Sequence, residues 1–334
     1  MKDFCIVGSG IAGSTIANLL SKKYSVEIFD KARGPGGRAS NRRYKKDLSF
    51  DHGLQYISPK SKEFIKFISK LNKKKIIKKW SGNHLVLKYT KKNNLEKYIG
   101  FKANNQISKY LLKKIKLNFN SKITKIFFSN NHWIITVNYK DKLNFKNLIL
   151  TCPYPQLTKL AAKYLPKKNL QFRFKMVPNI TTMLSYKNYP KIPISSIKFN
   201  DPIIAWASNE NSKNRFKSNE TLWTLQCTDK YSNKIINLVK KNKKKYLSEI
   251  IKRFEDLMGY KRKNLTFKNI HRWKFAYNKK ISKTKSYWNE KKKLGICADW
   301  LSGYKAENSW LNANNLFLKI KKTRKYNLRV FNFY

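Results

Sequence analysis

The hydrophobic pattern is sharpest at the start of the chain. Residues 4–7 (FCIV) form an unbroken apolar run, the mark of a short strand buried on both faces. Gly8, Gly10 and Gly13 follow, and residues 11–20 carry the apolar spacing of a helix. A second apolar run, 25-SVEIFD-30, predicts another strand that ends in Asp30. Buried strands are also predicted at 148-LILTCP-153 and over residues 294–298. Between these two the pattern changes. The stretches 180-ITTMLSY-186, 203-IIAWAS-208 and 222-LWTLQCT-228 alternate with period two, which predicts strands of a largely antiparallel sheet. A helix is expected at about 233–258 with its lysines on a solvated face, then a strand at 268-KNIHRWKFAY-277, and a last helix near 308–321.

The glycines give the first predicted strand and helix a chemical reading. Gly8 permits a tight turn, Gly10 lets backbone approach a pyrophosphate, and Gly13 lets the helix pack on the strand. The first amides of the helix, at Ile11 and Ala12, offer N–H groups and the positive end of the helix dipole to phosphate. Asp30 lies about 20 residues on, where a carboxylate can accept the hydroxyls of an adenosine ribose. The same glycines also suit a purely structural turn, and the spacing does not separate a flavin from a nicotinamide.

Composition bounds the rest. The 334 residues suffice for a sizeable core, most simply as two structural units. A formal net charge of +56 would ordinarily suggest nucleic acid or an anionic membrane. Lysine, however, far outnumbers arginine and is spread along the whole chain beside abundant Asn, Ile, Tyr and Phe. These residues share A/T-rich codons, so compositional drift explains the charge, with a true polyanion surface as the alternative. Cys5, Cys152, Cys227 and Cys297 lie far apart, which indicates neither a zinc site nor a disulfide framework and fits a reducing cytoplasm. No apolar stretch approaches a membrane span, and the glycine turn begins too early to leave room for a signal peptide.

The loop 30-DKARGPGGRAS-40 bears on the cofactor. A nicotinamide dehydrogenase has no need of it. In a flavoprotein of the amine-oxidase and hydroxylase type, Arg38 can neutralise the pyrophosphate while Gly37 passes beside the cofactor, with Lys31 and Arg33 on the same loop; a basic surface turn is the competing reading. The segment 50-FDHGLQY-56 resembles the stretch that runs past the flavin ring in such proteins, so Gly53, Gln55 and Tyr56 are candidate contacts.

Together with motifs further along, these segments make the chain resemble the renalase family of bacterial FAD oxidoreductases. The resemblance rests on VGSGIAGSTIA, FDKARGPGGRAS and FDHGLQY, on SKITKI, LILTCPYPQL and LWTLQCTDKYS, and on HRW with LGICADWLSGYKAENSWLNA near the end. It implies an α/β fold: a Rossmann-like FAD-binding domain (1–58, 98–160, 288–325) interrupted by an α+β substrate domain with a largely antiparallel sheet (59–97, 161–287), and a tail at 326–334. It implies that Ile123 binds adenine through main-chain groups, unless it is an ordinary strand residue. Asp299 would accept the ribityl hydroxyls of FAD. A helix beginning near Asn308 and Ser309 would aim its N-terminus at the flavin's pyrimidine edge. Two residues depart from the family here: Ala298 and Asn308 stand where glycines are usual, and Asn308 is expected to tolerate the positive φ that glycine would supply. Cys152 is read as packing.

For the substrate side, Arg272 could bind a phosphate or carboxamide and Trp273 could stack near the ring, or HRW could simply lock the last strand. Trp206, Trp223, Gln226 and Tyr277 are candidate pocket walls that could equally be core. Around 206-WASNENSK-213 the family's arginines are missing, and Asn278 replaces a usual proline. No Ser-His-Asp or Cys-His triad is apparent, and the chemistry is expected of the flavin. The resemblance implies oxidation of dihydronicotinamide isomers of NAD(P)H, with dioxygen as electron acceptor, no metal and no specific nucleic acid. The alternatives are an amine-oxidase-like enzyme, which needs an aromatic cage, and a flavin-free polyanion-binding protein.

Overall fold

The computed structural model describes residues 1–87, 96–165, 174–189, 192–279 and 283–330, with side chains to residue 323. Two sheets organise it. The first is eight-stranded and places Lys2–Val7 at its centre, in parallel pairing with Asp141–Leu150 on one side and Val26–Phe29 on the other. Lys116–Asn118 extends it beyond Val26–Phe29, and Leu294–Ile296 beyond Asp141–Leu150, both in parallel. The apolar run at the start is thus explained: Phe4, Cys5 and Ile6 are fully buried because both faces of a parallel strand are covered. Phe4 and Ile6 meet Ile16 and Leu20 of the helix Ile11–Leu20 and Leu316 of the last helix; Cys5 faces Trp133, Ile135 and Trp300. The hairpin Ile123–Ser129 with His132–Val137 continues from the long strand Asp141–Leu150.

The second sheet has six strands in the order Leu265–Asn278, Met176–Lys187, Glu220–Cys227, Ile204–Asn209, Ile194–Lys198, Asn83–Val86. All pairings are antiparallel except the last, which is parallel. The period-two alternation separates its faces. Ile180, Leu184, Tyr186, Trp223 and Leu225 pack on Ile250, Ile251 and Phe254 of the helix Lys243–Met258. Met183 and Leu222, on the opposite face, meet Phe50. This opposite face looks onto the segment following the glycine-rich loops, and the candidate site lies there.

Three expectations are corrected. The helix expected at 233–258 is interrupted: Asp229–Ile235 is followed by a 3-10 turn, Leu238–Lys240, before Lys243–Met258 begins. Asn242, at φ −122° and ψ 52°, breaks it within a run of five lysines whose like charges oppose a continuous turn. The last helix runs from Ala306 to Val330, because no Gly or Pro stops it near residue 321. Residues 326–330 of the expected tail therefore continue that helix, and 331–334 lie outside the described residues. Finally, Asn308 takes an ordinary helical backbone, and the positive φ in this region, 156°, falls on Gly303.

Candidate functional site

The glycine turn has the geometry of a phosphate cradle. A Cβ on Gly13 would lie 1.9 Å from the Gly8 carbonyl oxygen, so only glycine lets the helix approach the strand end this closely. No side chain caps the N-terminus of Ile11–Leu20. Gly10 instead pairs with Gly36, whose amide donates to the Ser9 carbonyl at 3.0 Å, bringing the two glycine loops together. The Gly10, Ile11 and Ala12 backbone thus borders the loop that carries Gly37 and Arg38.

Asp30 closes the other side of the turn. Its carboxylate accepts from the Ser9 amide at 2.7 Å, the Ser9 hydroxyl at 2.5 Å and the Ala32 amide at 2.9 Å. The residues before Ile123 run alongside: the Ser121 amide donates to the Asp30 carbonyl, and the Asn120 amide to that of Ala32. Ile123 itself is buried in the core with its main chain at the start of a strand. Lys31 and Arg33 are exposed on the loop.

The two distant ends of the expected site meet directly. Arg38 donates through Nη2 to Oδ1 of Asp299 at 2.5 Å, and through Nη1 to the Ala276 carbonyl at 2.7 Å. Asp299 is buried at 3% exposure. Three segments far apart in sequence are fixed by this one guanidinium. Beyond Asp299, Asn308 accepts from the Lys305 amide and donates to the Ser302 carbonyl, and Ser309 is buried in the first turn of the last helix. Glu307 accepts from the Lys60 and Ser61 amides and ties that turn to the start of the helix Lys62–Lys73.

Gly53 is the second position where only glycine fits. A Cβ there would lie 2.1 Å from the Arg38 carbonyl oxygen and 3.1 Å from the Trp273 ring. Gln226 donates to the Gly53 carbonyl at 2.9 Å, and Trp273 Nε1 donates to the His52 carbonyl at 2.8 Å. The His52 ring stacks on Trp273 at 5.2 Å, with His271 on its edge at 4.8 Å. Burial, then the neighbouring His271, pulls His52 down to about 4; burial, then Arg42, pulls His271 down to about 4. Both rings are neutral at physiological pH.

The proposed pocket residues divide cleanly by sheet face. Trp273, Gln226 and Trp206 lie on the face toward Gly53 and Tyr56. Tyr277 hydrogen-bonds Asp229 and lies 6.0 Å from the exposed Tyr304 ring. Two candidates are corrected. Trp223 is fully buried on the helical face, donating to Tyr260 at 3.0 Å, because it sits one position out of phase with Gln226 and Thr224. Arg272 alternates away from His271 and Trp273 and donates to the Ile236 carbonyl at 3.0 Å, so it holds a helix end to the sheet.

Two constellations are not apparent from the sequence. Tyr56, Trp80 and Trp206 form a triangle of rings 6.2 to 6.3 Å apart. Lys97 Nζ lies 5.6 Å over Tyr56, and Lys213 Nζ lies 5.3 Å over Trp80. Behind them is a buried ionic quartet. Lys213 donates to Asp51 at 3.1 Å and to both Glu210 oxygens at 3.0 and 2.9 Å; Arg215 donates to Asp51 and, at 3.1 Å, to Asn104. Gln55, buried, joins it through its carbonyl oxygen at 3.4 Å from Lys213 and donates back to the Asp51 carbonyl. Burial pushes the Asp51 carboxyl up, but Arg215 and Lys213 outweigh it and hold it below the usual range; burial pushes Glu210 up. A faint signal was present: acids are scarce in this chain, yet Glu210 stands in a loop between two aromatic strands.

Comparison with known proteins bears on the fold. Residues 6–71 match the NAD(P)-binding Rossmann-like domain family. A protein named a protoporphyrinogen oxidase, from Exiguobacterium sp. 255-15, superposes with a TM-score of 0.74 at 8% identity, over 96% of this chain and 99% of its own. A wild-type putrescine oxidase bound to putrescine superposes at 0.69 with 10% identity over the same shares. The chain shares the fold of these two oxidases. Rossmann-like turn, eight-stranded sheet and second sheet together make it a mixed α/β fold. Among the described residues no helix is long and apolar enough to cross a membrane.

Proposed function

We propose that this protein is an FAD-dependent oxidase of the renalase type, oxidising dihydronicotinamide isomers of NAD(P)H to NAD(P)+ in the cytoplasm, with dioxygen as the final acceptor. The observation that carries the reading is the Arg38–Asp299 contact. It joins the loop expected at the pyrophosphate to the acid expected at the ribityl chain, 261 residues apart. The donor set suits FAD: an uncapped helix N-terminus and glycine backbone for the pyrophosphate, Arg38 as counter-charge, and Gly53 as a surface with no side chain.

In this reading Gly10, Ile11, Ala12 and Gly37 offer main-chain N–H groups to the phosphates. Asp30 orders the turn through Ser9 and would accept the hydroxyls of the ribose. Asp299 holds Arg38 and would accept the ribityl hydroxyls. FAD, when bound, supplies the N5 acceptor for a hydride and the route by which dioxygen becomes hydrogen peroxide. The chain's own part is orientation: Trp273, Gln226 and Trp206 present a wall to the substrate, and the neutral His52 and His271 add no charge behind Gly53. The four cysteines are free thiols, in keeping with a reducing compartment.

The test is an absorbance scan of the purified protein followed by anaerobic mixing. Oxidised-flavin bands near roughly 450 nm, bleached by dihydronicotinamide isomers, are expected. Colourless protein would overturn the cofactor, and bleaching by primary amines alone would overturn the substrate in favour of an amine oxidase.

A further inference from the structure

The ribbon that precedes Gly53 carries a guanidinium that no carboxylate holds. Asn41–Arg43 pairs antiparallel with Ser49–Asp51, and Asn41 donates to Ser49 at 3.2 Å and to Asp51 at 3.3 Å. Side chains alternate along a strand, so Arg42, paired with Phe50, takes the opposite face. That face looks onto the strand Leu265–Asn278: Phe50 stacks on Phe267 at 5.5 Å, and His52 stacks on Trp273. Arg38, Arg215, Arg253 and Arg262 each hold a carboxylate, whereas the exposed Arg42 holds none among the described residues.

The groups around Arg42 suit an oxyanion. Ser40, half-buried, places its hydroxyl 3.5 Å from Nε2 of His52. Nδ1 of His52 is buried with no hydrogen-bond partner among the described residues, which is costly unless a ligand supplies one. His271 meets the His52 ring at 4.8 Å and the Trp273 ring at 4.3 Å. His52 feels His271 and Arg42 and, in the opposite sense, Asp51 and the Phe50 main chain; His271 feels Arg42 and Arg272. Asp51 is already matched by Lys213 and Arg215, and Arg272 is turned to the Ile236 carbonyl. Arg42 is thus the uncompensated charge, with a hydroxyl and two neutral rings beside it, each ring offering one N–H. A guanidinium fork flanked by such donors matches the oxygens of a phosphate.

Resting on the oxidase reading above, we propose that Ser40, Arg42, His52 and His271 form a phosphate subsite that receives the 5′-phosphate of a dihydronicotinamide nucleotide, with Trp273 as the partition between that phosphate and the flavin expected beside Gly53. The His52 and Trp273 rings are 5.2 Å apart, comparable with the span of one ribose between its base and its 5′-phosphate. Arg42 supplies the charge, and Ser40 and the two imidazoles supply neutral donors.

Reduced nicotinamide mononucleotide isomers and the matching ribosides differ by that phosphate alone. They are mixed anaerobically with the purified holoprotein at pH 7 and roughly 0.15 M salt, where the diffuse field of the lysines is screened. The mononucleotides should bleach the flavin with a second-order rate constant at least about tenfold above the ribosides. Arg42→Met and Arg42→Gln, as alternative neutral variants, should bring the pair to within about threefold, and Arg42→Lys should keep most of the difference. Arg43→Met removes the same charge from the other face of the ribbon and should leave the difference intact. Retained oxidised-flavin absorbance certifies that each variant is folded. Equal bleaching by both substrates in the wild type sinks the subsite and leaves the oxidase substrate in place. A preference untouched in a folded neutral Arg42 variant, or lost equally in Arg43→Met, also overturns the subsite. Should neither substrate bleach the flavin, inorganic phosphate titrated calorimetrically into wild type and Arg42→Met separates the two readings. Binding at least about tenfold weaker in the variant keeps the phosphate subsite while the oxidase substrate falls, and equal binding removes both.

Discussion

Removing the Lys213 ammonium tests how the quartet holds the site. Lys213 and Asp51 are fully buried, Glu210 is 1% exposed, and the Arg215 side chain is 3% exposed. Two positive and two negative charges balance. Lys213→Met deletes one cation and strips contacts at 3.1, 3.0 and 2.9 Å from two buried carboxylates, leaving the cluster with a net charge of −1. Breaking a buried pair by removing one partner costs roughly 3–5 kcal/mol, because the remaining charge has lost both water and partner. The double variant Glu210→Gln, Lys213→Met restores neutrality around Asp51–Arg215 and should recover more than half of that loss. Urea unfolding at pH 7 followed by tryptophan fluorescence reads both. Because Asp51 lies two residues before Gly53, flavin occupancy should fall in the single variant and return in the double. A single variant costing less than about 1 kcal/mol, or a double variant no better than the single, would show that the quartet is not a closed charge balance.

Two further outcomes follow from named contacts. Gly53→Ala should displace the segment from Arg38, costing roughly 1–3 kcal/mol and most of the bound flavin; full flavin content by absorbance after purification would contradict the close contact. Protonation gives the second. His52, at 7% exposure, and His271 both sit near pKa 4 in the fold and about 6.5 when unfolded, so the unfolded chain binds more protons between those values. Stability should therefore fall as pH drops from about 6.5 to about 4, by up to about 3 kcal/mol for His52. His52→Asn should flatten that slope in denaturant titrations at several pH values, and an unaltered slope would assign the acid lability elsewhere.

Much of this was legible because it depends on local pattern. The strand at Lys2–Val7, the helix Ile11–Leu20 and the glycine turn follow from apolar runs and from positions where a Cβ has no room. Trp273 and Gln226, singled out as candidate pocket residues, lie on the sheet face toward Gly53. Strand alternation should have excluded Trp223 and Arg272, since each lies one residue out of phase with a neighbour that faces the site. The quartet was hidden for a different reason. Lys213 is one of 74 basic residues, and only the tertiary approach of Asp51 and Glu210 distinguishes it from a solvated lysine. The aromatic triangle likewise combines residues 56, 80 and 206, which share no sequence neighbourhood.

The bond between Arg38 and Asp299 also has a meaning in time. A ribosome adding about 5–20 residues per second needs roughly 13 to 52 s to travel the 261 positions between them. Throughout that interval the Asp299 carboxylate that Arg38 holds does not yet exist, and the central sheet lacks the strand Leu294–Ile296 that flanks Asp141–Leu150. The glycine turn near the start of the chain is synthesised long before the residues that close around Arg38. In the proposed reading, capture of a flavin would have to await residues 294–299, and truncation shortly before residue 294 would yield a chain with the glycine turn and no closed site.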